Sequence, residues 1–328
     1  MTGAPGFDRR RLLLLLLPLA IYGLAYLVID QARPAGVTFP HVEFEGFGDV
    51  AFAVAAGQAK YHYYWLSSYV LLTAVCLAVG CSAALALRRE TPAGDRKTVG
   101  WCVALLIGLV VVVELFGGVT RWYTYMGEGL FDAIFAKVPT VNYPSALSVF
   151  LNGQQVIKIA VAATVVVLSA CMILTLKTPP PDATTAEKAR WLKRAQDQQK
   201  NYLQQTALVY VFAIIAMMAG MYWPLPFLTG ADAPAAYMDL LTGAAILQGV
   251  AFSLGAAAVY LPAAVLLRQW SETVTGSVAD QPEVDKETAA AVEALSINPF
   301  DQLRQVAIMI LPILVSLTPL LDGITKLV

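Results

Sequence analysis

Histidine is almost absent from this chain: His41 and His62 are the two copies in 328 residues. Intramembrane haem ligation by paired histidines, Ser–His proteolysis and His-dependent acyl transfer all need imidazoles that the apolar stretches do not supply. The signatures GxxxxGK[ST], GxGxxG and HExxH are missing as well. Cysteine is scarce, and Cys76, Cys81, Cys102 and Cys171 form no CxxC pair and all fall within apolar stretches. They read as small packing residues, not as a disulfide framework or a metal site. Charge is thin, at 14% of residues with a net of -1, and no basic patch suits nucleic acid. These absences disfavour an enzyme, imply no cofactor and tie the chain to no known family.

What the chain has in abundance is apolar length. Hydrophobic residues make up 58% and the mean hydropathy is +0.64, which selects a single membrane domain over 1–328. Crossing the hydrocarbon core takes about 20 apolar residues. Seven segments meet or approach that length: 12–29, 64–87, 99–119, 155–176, 204–223, 239–267 and 306–321. The expected fold is all-α, a polytopic transmembrane helix bundle with six spans and a seventh, C-terminal segment that either spans or is re-entrant. That last segment is short and interrupted by Pro312 and Pro319, although Asn298 as N-cap, Pro299 and Asp301 mark its start. A segment that dips and returns is tolerated where protein shields it. Arg9, Arg10 and Arg11 before Leu12 to Leu17 have the pattern of a secretory signal. The apolar run continues past Pro18 to Ile29, so an uncleaved membrane helix is expected.

Positive residues resist translocation, so orientation follows from Lys and Arg in the short loops. With the amino terminus in the cytoplasm, sixteen fall inside and five outside. The expected cytoplasmic segments are 88–98, 178–203 and 268–305; the extracytoplasmic ones are 30–63, 120–154 and 224–238. The expected location is therefore a bacterial-type inner membrane, crossed several times. Aromatic residues at the outer ends (Tyr61, Tyr63, Tyr64 and Trp65; Trp122, Tyr123 and Tyr125; Tyr222 and Trp223) suit a headgroup belt. Leu130, Phe131, Ile134, Phe135 and Val138 recur at helical spacing and predict an outer interfacial helix.

The segment before the fifth apolar stretch is distinctive. Thr184 and Glu187 have capping-box spacing, and no Gly or Pro follows until Gly220. One helix throughout would project its first ~20 residues roughly 30 Å from the membrane. Lys188, Arg190, Lys193, Arg194 and Lys200 make it basic, while 268–305 is acidic, so the two pieces are expected to dock. Trp191, read as an exposed aromatic beside Lys193 and Arg194, is the candidate contact for a partner protein or anionic lipid. Small residues recur every four positions at Ala74, Ala78, Ser82 and Ala86, and at Gly249, Ser253 and Ala257. Such stripes permit close helix approach within one chain or between copies in a homo-oligomer; the first use is expected.

Charges inside the bilayer need a partner or water. Glu114 and Lys158 lie at matching depth in adjacent antiparallel segments, which predicts an ion pair, with Asn152, Gln154 and Gln155 extending a polar pocket. The pair either fixes helix register or lines a path for a solute, ion or proton. His41, Glu43 and Glu45 alternate along an outer segment and are candidate metal ligands, although such spacing also suits any solvated strand. The expected function is a non-enzymatic membrane scaffold, sensor or effector subunit presenting the basic helix to a cytoplasmic or membrane partner. The alternative is a transporter or channel with its path at Glu114 and Lys158.

Overall fold

A computed structural model describes residues 8–31, 49–116, 143–179, 182–222, 225–227, 233–279, 285–295 and 299–318. All regular structure among them is helical. In chain order the α-helices are α1 (Leu16–Gln31), α2 (Asp49–Glu90), α3 (Arg96–Phe116), α4 (Tyr143–Leu174), α5 (Thr185–Tyr222), α6 (Ala233–Ala279), α7 (Lys286–Glu293) and α8 (Pro299–Ser316). Five of the described helices, α2 to α6, are long and apolar enough to cross a membrane. These match the second to sixth apolar segments.

The first segment is not one continuous α-helix. A 3-10 helix covers Arg9–Leu15, capped by the Asp8 carboxylate on the Arg10 N–H, and α1 begins only at Leu16. Pro18 is the cause: its ring clashes with the carbonyl four residues back and it lends no N–H, so it fits only the first turn of an α-helix. The segment at the other end of the chain, α8, carries Pro312 internally.

Most of the core is one apolar cluster spanning Leu72, Val103, Leu168, Ile173, Leu203, Ile214, Phe252 and Val259. α2 packs along α4 and α5, α3 along α4, α5 along α6, and α8 against both α5 and α6. The approach of α2 to α4 uses its small buried residues: Thr164 lies across from Gly80, and the Cys171 thiol donates to the Ala83 carbonyl at 3.3 Å. Ala74, Ala78 and Ser82 lie exposed on another side of α2, and of that stripe Ala86 alone packs against the core among the described residues. The second stripe does pack internally. A Cβ on Gly249 would meet the Pro312 carbonyl at 2.9 Å and the Ser316 side chain, so glycine is what lets α8 cross α6 there.

Opposite ends of the bundle differ in chemistry. At one, Tyr61 of α2 stands 6.3 Å from Tyr222 of α5, with Lys60 beside it. Trp65 departs from the expected belt: it is buried, 4.9 Å from Tyr69, because it falls on the side of α2 that faces the bundle. At the other end, hereafter the basic end, the tips of α2 and α4 meet the start of α5.

Candidate functional site

Helix C-termini leave carbonyls without N–H partners, and cations answer them favourably. At the basic end two such caps come from elsewhere in the chain. Lys177 follows a final 3-10 turn after α4 and donates to the Glu90 carbonyl at the end of α2. Its ammonium lies 4.0 Å from the Glu90 carboxylate, which also accepts from Gln198 of α5 at 2.7 Å. Burial pulls the Lys177 ammonium below its ordinary value, and the Glu90 charge opposes that shift. Arg11 donates to the Leu176 carbonyl and lies 4.9 Å over the Trp270 ring. Arg9 reaches Asp95, in the turn after α2, at 2.9 Å. The amino-terminal segment, the tips of α2 and α4, and helices α5 and α6 are thus tied together.

Beyond them lies a second apolar core of Leu176, Ala189, Leu192, Ala195, Ala263, Leu267, Ala291 and Leu295. Here α5, the end of α6 and α7 pack as a separate layer. Helix α5 runs unbroken from its capping box, with the Thr184 N–H on the Glu187 carboxylate at 2.8 Å and the Glu187 N–H on the Thr184 hydroxyl at 3.3 Å. The expected docking of basic on acidic occurs: Arg190 pairs with Glu287 of α7, and Lys200 with Asp301 of α8 at 2.9 Å. Lys200 holds the Asp301 carboxyl below the ordinary carboxylate range, first through its hydrogen bond and then through its charge. Polar contacts continue inward, from Gln196 to Ser271 at 3.0 Å and from Tyr260 to Gln305.

Trp191 is not the free aromatic expected. It is half-buried, 6.4 Å from Trp270, and packs on the second core. The expected exposure is lost because α6 runs past the membrane segment to Ala279 and covers that side of α5. Lys193 pairs within α5 with Asp197 at 3.5 Å, and Arg194 is exposed.

For the intramembrane pair, the structure makes α3 and α4 neighbours. Lys158 and Gln155 are half-buried on α4. The side chains of Glu114, Asn152 and Gln154 lie outside the described residues, as do His41, Glu43, Glu45, Asn298 and the interfacial helix expected near 130–138. Among the described residues no group of three His, Cys, Asp or Glu side chains is placed to hold a metal. Sequence reasoning misses Glu90, Gln198 and Trp270, and takes Lys177 and Arg11 only as orientation signals. Nothing local marks them, since Lys177 and Glu90 are brought together only by the packing of α2 on α4.

No family model, curated protein or solved structure matches this chain. The arrangement itself is one of caps and ion pairs that tie helices into one end-layer.

Proposed function

We propose that the chain is a non-enzymatic, multi-pass scaffold or effector subunit of a bacterial-type inner membrane, with its basic end in the cytoplasm and a partner docking on the end-layer of α5, α6 and α7. The observation that supports this reading is the second core around Leu192, Leu267 and Leu295. A topogenic stem needs only positive charge; a buried apolar core shared by the start of α5, the end of α6 and α7 makes a folded surface. The docking face would be this layer as a whole, with Arg194 as its exposed cation, and not an isolated basic helix around Trp191. Orientation rests on the sixteen-to-five distribution of Lys and Arg.

A photo-crosslinker at Arg194 in intact membranes tests docking, and reconstituted vesicles test solute flux. Docking predicts a discrete adduct that disappears with Trp191→Ala while insertion stays normal. Flux that depends on Glu114 and Lys158, with no adduct, would replace the scaffold reading by transport. Labelling a cysteine at Ser277 only from the outside would reverse the orientation.

A further inference from the structure

The turn joining α2 to α3 carries four cations, Arg88, Arg89, Arg96 and Lys97, and all four are exposed. Two carboxylates lie among them, and both are engaged elsewhere. Glu90 is held by Lys177 and Gln198, and Asp95 by Arg9. No ion pair among the described residues answers any of the four cations. The basic stretch of α5 differs in degree, since three of its five cations, Arg190, Lys193 and Lys200, have an acidic partner within the chain. Arg96 donates to the Thr91 carbonyl at 3.4 Å, which leaves its charge uncompensated, so among the described residues the cluster is open to an anion from outside the chain.

The surroundings of the turn indicate which one. Leu77, Gly80, Ala84 and Arg88 follow one stripe of α2, and a Cβ on Gly80 would lie 3.2 Å from the Thr164 hydroxyl of α4. Arg88 is exposed, and two positions before Glu90 it points to the opposite side of α2 from the carboxylate that α5 engages. Helices α2 and α3 each pack along α4 and not along each other, so apolar flanks stay open above the turn. Leu77 is 63% exposed and Leu105 69%. On α3, Lys97, Trp101 and Leu105 succeed one another at four-residue spacing, a cation, then an amphipathic ring, then an aliphatic side chain. That is the polarity gradient of a lipid from headgroup to chain, and Trp prefers the headgroup layer.

We infer that this turn binds the headgroup of an anionic phospholipid, with its acyl chains lying along the open flanks of α2 and α3. Basic pockets between membrane helices recognise such headgroups, and each cation near them contributes about fivefold in affinity. The proposal is independent of the partner-docking reading, because it concerns different helices and different charges.

The test uses the purified full chain in a neutral detergent, titrated with phosphatidylglycerol or phosphatidylcholine and read by native mass spectrometry and thermal unfolding. Phosphatidylglycerol should bind and raise the unfolding temperature, phosphatidylcholine should do neither, and high salt should abolish the difference. The double substitution Arg88→Gln with Lys97→Gln should weaken phosphatidylglycerol binding about twenty-five-fold, following the same fivefold per cation. Arg268→Gln, an exposed cation already paired with Glu272 at 2.8 Å, should leave it unchanged. If the double variant misfolds, the salt dependence of the parent decides alone. Equal binding of both lipids overturns the proposal. So does equal stabilisation by soluble glycerol phosphate, which would make this a free-anion site, and so does a double variant with undiminished anionic preference.

Discussion

Helices α2 and α4 are nearly equal in apolar character, with mean hydropathy 2.4 and 2.5 over their membrane windows, yet 17% of the first window is buried against 56% of the second. Hydropathy measures compatibility with lipid, and lipid tails are as apolar as a protein interior. It therefore cannot separate a helix that faces lipid from one wrapped by neighbours. The separation comes from packing: α4 contacts α2, α3 and α5, whereas α2 leaves one whole side uncovered. In this protein α4 is the post and the α2–α3 pair is the wing.

The largest effect should come from cutting the post. Leu168→Ala, at a fully buried position, should destabilise the bundle by about 3 kcal/mol through the cavity it leaves. Leu77→Ala on the wing should cost less than about 0.5 kcal/mol. Reversible unfolding in mixed micelles measures both, and equal losses would erase the distinction between post and wing. A smaller effect is expected where α8 meets α6. Gly249→Ala forces a methyl against the Pro312 backbone and should cost about 1–2 kcal/mol, seen as faster hydrogen exchange in α8 with the α2–α3 pair unaffected. The smallest effect is electrostatic. The Asp301 carboxyl is held below its ordinary value by Lys200, so its contribution is present above the unfolded carboxylate range and is lost as pH falls through the folded value. Acidification should therefore loosen α8 slightly, within the modest worth of an exposed ion pair, and Asp301→Asn should remove that dependence.

Helix length and continuity are legible from sequence because they are local. The run from Thr185 to Tyr222 comes from one capping box and the absence of breakers before Gly220, and five membrane-length helices come from apolar runs. The docking of 185–203 on 268–305 is legible because opposite charge survives without coordinates. The facing of side chains is not. Sequence alone puts Trp65 and Trp191 at exposed positions, and both are covered, by the bundle and by the end of α6. Small-residue spacing is an uneven guide: it is identical in α2 and α6, but in α2 Ala86 alone of the stripe reaches the core, whereas the α6 stripe meets α8. The break at Pro18 is legible in principle, although the length of the apolar run hides it. For the candidate site, the two capping cations are visible only as topogenic charge, because the carbonyls they cap belong to helices remote in sequence.

The crossing of α8 over α6 also bears on the order in which the molecule can be built. Gln305 meets Tyr260, Asp301 meets Lys200, and Ser316 lies against Gly249. Each of these contacts needs residues that are synthesised after their partners. Until Pro299 and the rest of α8 are synthesised, the seam between α5 and α6 lacks what α8 supplies, the contact at Gly249 and the counter-ion of Lys200. A chain stopped before α8 should therefore keep its other helices but leave that seam open, and limited proteolysis of the truncated chain, cutting α5 or α6 faster than in the full chain, would show it.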